Sequence, residues 1–181
     1  MPKNKAAARR RSGCPLNASV EMLGDRWSLL VIRDMMIRGY QSFHEFLHSD
    51  EKIATNILAD RLHRLEEYGI ISARPDPSDG RRLIYFLTQK GIDLAPVLAE
   101  MVLWAARHEE TGNQRLIRDM KRDKEQLIAD VRKRWDEKHK SFAREQRTSA
   151  ELRPGDPQAG KGSRSNLVPF QKEPRPPAES F

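Results

Sequence analysis

Residues Lys52–Gly91 read KIATNILADRLHRLEEYGIISARPDPSDGRRLIYFLTQKG. Ala54, Leu58, Leu62 and Leu65 recur at helical spacing and form one apolar stripe. Gly69 is placed to end that helix, and Ile70-Ile71-Ser72-Ala73-Arg74 follows as a short strand. Pro75 to Gly80 is a turn cluster in which Asp79-Gly80 is a hairpin signal. Leu83 to Leu87 is the returning strand, and Thr88 caps a new helix. A helix, a strand, a charged turn, a strand and a helix in that order make a winged helix-turn-helix, whose first helix fits a DNA major groove and whose turn reaches the flanking backbone.

The side of the first helix opposite the stripe carries Thr55, Asn56, Ala59, Asp60 and His63. Short polar residues near a helix start reach base edges without holding the backbone away: Asn pairs with adenine through two bonds, and Thr offers a hydroxyl and a methyl. The alternative is that Thr55 and Asn56 only cap or solvate the helix start. Arg61 and Arg64 lie toward the flank, where phosphates run, and Arg81 and Arg82 follow the turn tip, where a wing meets backbone or minor groove. Two prolines, Pro75 and Pro77, stiffen that projection.

Upstream, Trp27 to Ile37 is almost continuously apolar, the signature of a helix buried on nearly all sides, and so the pillar of the domain. Ser42 and Glu45 form a capping box that opens a short helix with Phe43, Phe46 and Leu47 facing inward. With the turn at Ser49 to Lys52 this completes the helix-turn-helix pair.

The residues resemble the HxlR-type family of bacterial winged-helix transcription regulators. The resemblance is carried by Cys14-Pro15, Gly24-Asp25-Arg26-Trp27, Phe43-x-x-Phe46-Leu47, Ile53-Ala54, Leu58-x-x-Arg61-Leu62-x-x-Leu65-Glu66-x-x-Gly69 and Tyr85-x-Leu87-Thr88-x-x-Gly91. It covers Cys14 to about His108, a little over half of the chain. The wing, Asp79-Gly80-Arg81-Arg82, looks more like that of the related MarR-type regulators than the proline-rich HxlR wing. The resemblance implies a homodimer on a palindromic or near-palindromic operator.

The fold class expected is α+β, mainly α: a winged helix-turn-helix with a two-stranded wing and a C-terminal helical extension. Its segments are a disordered basic arm over 1–13, the DNA-binding domain with a dimerisation helix over 14–108, a charged helical extension over 109–147 and a disordered tail over 148–181. The helix after Thr88 bears Leu94, Val97, Leu98, Met101, Val102, Trp104 and Ala105, a stripe too wide for one small core and suited to a two-fold interface. Pro96 interrupts it and implies a kink or an early false start. Between Gly112 and Arg147 one further helix is expected, with Ile117, Met120, Leu127, Val131 and Trp135 in register. It could lengthen the dimer interface, contact a partner, or stand alone.

Net charge is +7 over 181 residues, but the charge is not where the reading head is. Segment 14–108 holds 11 Lys and Arg against 13 Asp and Glu. Residues 1–13 carry Lys3, Lys5, Arg9, Arg10 and Arg11 and no acid, a tail able to neutralise phosphates regardless of sequence, or merely to solubilise. Positive charge in the head must cluster at Arg61, Arg64, Arg74, Arg81 and Arg82. No apolar run approaches the ~20 residues that span a bilayer, the N-terminus lacks the apolar core of a secretion signal, and a single cysteine suits a reducing cytoplasm.

Two sites of possible chemistry remain. His44-Glu45-Phe46-Leu47-His48 matches HExxH, the zinc-protease pattern. A protease also needs a third ligand and a cleft, and this segment lies where the first helix-turn-helix element belongs, so neither enzyme, metal nor cofactor is expected. Cys14 precedes Pro15 at a helix start, where the helix dipole and Arg9, Arg10 and Arg11 favour a negatively charged sulfur. It is either a redox-sensing thiol or a small residue packing the first helix. The expected function is a sequence-specific, homodimeric, cytoplasmic DNA-binding regulator with an unidentified small-molecule or oxidant effector. The alternative is a winged helix used only for protein contacts.

Overall fold

The computed structural model describes residues 12–151, with side chains through 145. The basic arm up to Arg11 and the tail beyond Glu151 lie outside the described residues. Helix α1 (Pro15–Leu23) leads through Gly24-Asp25-Arg26 into α2 (Ser28–Arg33), which continues as a π turn over Asp34–Arg38. Helix α3 (Phe43–Leu47) and α4 (Thr55–Glu67) form the helix-turn-helix. Strands β1 (Ile71–Pro75) and β2 (Leu83–Leu87) make the wing, and α5 (Gln89–Ile92), α6 (Ala95–His108), α7 (Gln114–Arg122) and α8 (Lys124–Glu151) follow.

The expected architecture is present: mostly helix, with one two-stranded antiparallel sheet among the described residues. Val31, Ile32, Met35 and Met36 of the pillar are buried together with Phe46, Leu58, Leu62, Leu65, Ile70 and Ile71. Each such side chain contributes roughly 1.5–3 kcal/mol by leaving water. The Ser42–Glu45 capping box forms as expected. Gly69, at φ +66°, ends α4 in a Schellman motif, with Gly69 N–H donating to Glu66 and Ile70 N–H to Leu65. Gly91 is needed for a different reason: a Cβ there would sit 2.2 Å from the Ile70 carbonyl oxygen. That approach lets Thr88 N–H donate to the Ile70 carbonyl while its hydroxyl donates to the Gly69 carbonyl at 2.7 Å, and ties α5 to the start of β1.

Several local expectations are corrected. Ala54 is exposed at the cap position of α4, and Ile53, 6 % exposed, takes its place in the core. The turn before α4 puts Lys52 at φ +52°, so the chain reverses and Ile53 points inward. Ile37 is 37 % exposed because it falls on the π turn, where the extra residue per turn rotates the apolar stripe off the core. Gly80 does not adopt positive φ, so Asp79-Gly80 is not a tight two-residue turn. The connection runs over 76–82 instead, closed by Asp76 N–H to Arg82 and Arg82 N–H to Asp79. Pro96 produces the false start: α5 stops at Ile92 and α6 restarts at Ala95 with Pro96 in its first turn, where its missing N–H is harmless.

The expected single helix after Gly112 is two. Asp123, at φ −153° and ψ 83°, breaks α7 from α8, and its side chain accepts from Gln126 N–H to restart the helix. The pair does not stand alone. Ile117, Met120, Ile128, Val131 and Phe142 are buried against the domain, so most of their apolar stripe is covered within the chain. Trp135 Nε1–H donates to the Leu87 carbonyl at 2.7 Å, and Lys138 Nζ donates to the Gly39 carbonyl at 2.7 Å. Phe142 packs on Phe86 with ring centroids 4.6 Å apart.

Candidate nucleic-acid interface

Burial of Leu58, Leu62 and Leu65 fixes the roll of α4 and so decides which residues face outward. Thr55, Asn56, Ala59, Asp60 and His63 are all exposed. Among the described residues, neither Thr55 nor Asn56 caps the helix: the cap position is Ala54, with no side-chain hydrogen bond. Their side chains are therefore free for an outside partner, and the first-turn N–H groups have no side-chain acceptor from the cap residue. His63 lies 3.5 Å from Glu67 on the open surface.

Arg61 departs from the expected phosphate contact. Its side chain is only 17 % exposed, with Nη1 3.1 Å from Asp25 and Nη2 2.8 Å from Asp60. Asp25 is itself a hub, accepting from the backbone N–H groups of Trp27 at 2.8 Å and Ser28 at 3.0 Å, and from Ser28 Oγ–H. Burial opposes the charge on Asp25, but the Ser28 hydroxyl, those two N–H groups and Arg61 outweigh it and hold the carboxyl below its ordinary range. Arg61 therefore braces α4 against the start of the pillar. Its Nε is buried with no partner, a donor left unsatisfied by this inward geometry.

Arg64 is partly buried on α4 and shares a hydrogen bond with Tyr68, which keeps its guanidinium firmly charged. Arg74, expected to add to the basic cluster, instead lies 5.6 Å over each of the Phe86 and Phe142 rings. The wing arginines stay outward. Arg81 and Arg82 are 94 % and 77 % exposed at the side chain, each with Nε held by Asp79 at 3.3 and 3.2 Å. Asp76 accepts from Ser78 N–H and Oγ–H and so folds the near side of the loop. Asp79 thus orients both guanidinium groups at the wing tip without burying them. Pairing of Ala73 with Tyr85, and of Ile71 with Leu87, sets the direction in which this tip projects.

The HExxH pattern is used structurally. Glu45 accepts from Gln41 N–H, Ser42 N–H and Ser42 Oγ–H, which outweigh its partial desolvation and hold its carboxyl low. His44 and His48 stack on each other with centroids 4.1 Å apart. Among the described residues no three His, Cys, Asp or Glu side chains are grouped to hold a metal ion, and no helix is long and apolar enough to cross a membrane.

Cys14 is exposed and sits at the N-cap of α1, with Pro15 in the first turn. Leu16 and Val20 of α1 are 72 % and 57 % exposed, and Val97, Met101 and Trp104 of α6 are 48 %, 47 % and 58 % exposed. The brace at Asp25 was missed by sequence reasoning. Its only signal was an acidic residue directly before the pillar, within the Gly24-Asp25-Arg26-Trp27 turn.

Comparison with known proteins agrees with this geometry. A family model described as HxlR-like helix-turn-helix matches residues 22–113. The HTH-type transcriptional regulator YodB of Bacillus subtilis (strain 168) is 35 % identical over 101 residues, covering 55 % of this chain and 89 % of YodB. The HTH-type regulator YvaP of the same organism is 33 % identical over 93 residues, covering 51 % of this chain and 85 % of YvaP. The crystal structure of PA1607, a candidate transcription factor, superposes with a TM-score of 0.52 at 34 % identity, covering 59 % of this chain and 72 % of that one. With its pillar, capping box, helix-turn-helix pair and hairpin wing all in place, the chain belongs to the HxlR-like helix-turn-helix family of transcriptional regulators.

Proposed function

We propose that the protein is a homodimeric, sequence-specific DNA-binding regulator of the cytoplasm, not an enzyme, which reads a major groove with Thr55, Asn56, Ala59, Asp60 and His63. One observation carries the reading: the outer face of α4 is uncovered by the described chain, its two reading side chains are not used as caps, and the exposed Arg81–Arg82 tip lies on the adjoining hairpin. Arg61 and Arg64 serve this face by fixing it. Because only Arg81 and Arg82 of the expected basic cluster remain exposed, the basic arm over 1–13 supplies much of the phosphate neutralisation. The exposed apolar residues of α1 and α6 supply the contact with a second copy.

Cys14 adds a thiol response. Its support is its own exposure and its place on α1, beside the apolar residues proposed to meet the second copy. The relative YodB is known in a reduced and in a diamide-treated form. Oxidation by diamide would join two Cys14 thiols as a disulfide, two electrons passing to diamide and two protons leaving the sulfurs. DNA affinity should then change in the wild type and not in Cys14→Ser; equal responses leave Cys14 a packing residue.

A second reading, a winged helix for protein contacts alone, is favoured by one feature: the head carries 11 basic against 13 acidic residues, and Arg61, Arg64 and Arg74, expected to form its outward basic cluster, are engaged internally. Fluorescence anisotropy against the DNA upstream of the protein's own gene separates the two. Sequence-specific binding predicts affinity at least about 10³-fold above random DNA at physiological salt, with a dimer by light scattering. Equal affinity for both DNAs would select the second reading.

A further inference from the structure

Helices α2, α6, α7 and α8 enclose a cleft of about 360 Å³. Its walls include Leu30, Met36, Ala99, Val102, Met120 and Ile128. It exists because α6 presents alanines where the pillar and the extension meet it: Ala95, Ala99 and Ala105 all line the space. Small residues on one wall and a wall of Met, Leu and Ile opposite leave a groove the chain does not fill, and two of its lining residues, Ile37 and Met101, reach solvent at 37 % and 47 % exposure. The outer wall is held in place. Lys124 pairs with Glu100, and Asn113 caps α7 by accepting from Leu116 N–H. The family match ends at residue 113, so α7 and α8, which form that wall, lie beyond the part shared with the family.

The lining selects the chemistry of an occupant. The charged groups at the rim are already satisfied: Arg33 pairs with Asp34 at 2.8 Å and Glu51 at 2.9 Å, and Arg38 pairs with Asp34 and, at 2.6 Å, with Asp50. Among the described lining residues no cation is left to call for an anionic ligand, and the Asn113 side-chain oxygen is committed to its cap. What the cleft offers is apolar surface and shape, and apolar cavities take up apolar molecules.

The same helix that closes the cleft also holds the wing. Val131 lines the cleft. One turn further along α8, Trp135 bonds the Leu87 carbonyl at the end of β2, and Lys138 bonds the Gly39 carbonyl. Beyond them Phe142 packs on Phe86, with Arg74 of β1 over both rings. A molecule pressing outward on Ile128 and Val131 therefore acts on a rigid rod whose far half is fastened to both wing strands.

We propose that this cleft binds an uncharged, apolar small molecule, and that its occupancy reaches the wing through α8. The regulatory meaning of that link rests on the DNA reading above, but the link is measured without DNA, so the two fail separately. The probe is N-phenyl-1-naphthylamine, a neutral molecule that fluoresces when removed from water, titrated into the full-length protein. Saturable binding at one per chain is expected. Ala99→Leu and, separately, Ala105→Leu fill the cleft and should weaken it at least tenfold. A thermal midpoint at or above wild type would show that each variant is folded. Hydrogen exchange with bound probe should slow in 95–105 and 116–131 and change in 83–87 and 135–142. Non-saturable binding, equal affinity in a folded filling variant, or no protection over 95–105 and 116–131 would overturn the site. Protection there with unchanged exchange in 83–87 and 135–142 would overturn the link.

Discussion

Arg61 separates two roles that an arginine on the second helix of a helix-turn-helix can play. If it is a phosphate contact, Arg61→Ala leaves stability within about 0.5 kcal/mol and lowers DNA affinity, reducing the salt slope by about 0.9. The structure makes the opposite prediction. The Arg61–Asp25 pair is 3.1 Å apart and mostly shielded, at 17 % and 26 % side-chain exposure. A bare pair near 4 Å is worth about 4 kcal/mol at an effective dielectric of 20. Desolvation and the orphaned Nε offset much of that, leaving a coupling of about 1–2 kcal/mol. Asp25→Ala loses more than Arg61→Ala, because it also removes the acceptor for Trp27 N–H, Ser28 N–H and the Ser28 hydroxyl and leaves the shielded guanidinium with Asp60 alone. About 2–4 kcal/mol is expected. Urea unfolding followed by tryptophan fluorescence would read this as a midpoint about 1–2 M lower, given slopes of about 1–3 kcal/mol/M. The double variant should lose less than the sum of the singles by the coupling. Additive losses, or an Arg61→Ala chain of wild-type stability with a flatter salt slope, would refute the brace.

Other outcomes follow from the same geometry. Asn56→Ala, at a position that caps nothing, should keep its stability within about 0.5 kcal/mol while losing about 1–3 kcal/mol of discrimination for operator over random DNA, measured by competition anisotropy. An unchanged specificity ratio would count against the groove assignment. Deleting residues 2–11 should weaken binding to all sequences and flatten the salt dependence by up to about 0.9 for each phosphate the arm neutralises; an unchanged slope would remove the arm from the interface. Asp25 and Glu45 are both held below their ordinary values of 3.8 and 4.5. The stability they contribute is fully present above about pH 4.5 and drains away as pH falls through their lowered folded values. Asp25→Asn should remove part of that acid slope, read from urea midpoints between about pH 3 and 6. Phe142→Ala should cost about 3 kcal/mol if the end of α8 is fastened to the wing, and no loss would mean that packing is not formed in solution.

The features legible in the chain alone are local and periodic. The leucine stripe at 58, 62 and 65 orients α4, so the exposure of Thr55, Asn56, Ala59, Asp60 and His63 could be read before any coordinates, as could the Ser42–Glu45 box and the stop at Gly69. Each depends on neighbours within one or two helical turns, where geometry is fixed by the backbone. The ends of long side chains, by contrast, were settled only by packing between distant elements. Arg61, Arg74 and Trp135 all reach partners far along the chain: Asp25, Phe142 and Leu87. A periodicity shows which face a residue lies on, but a flexible cation on that face goes wherever an unmet carboxylate or ring awaits it. The docking of α8 was hidden for the same reason. Its apolar stripe announced that something must be covered, while the surface it covers is assembled from the pillar, α6 and the wing only once all of them have packed.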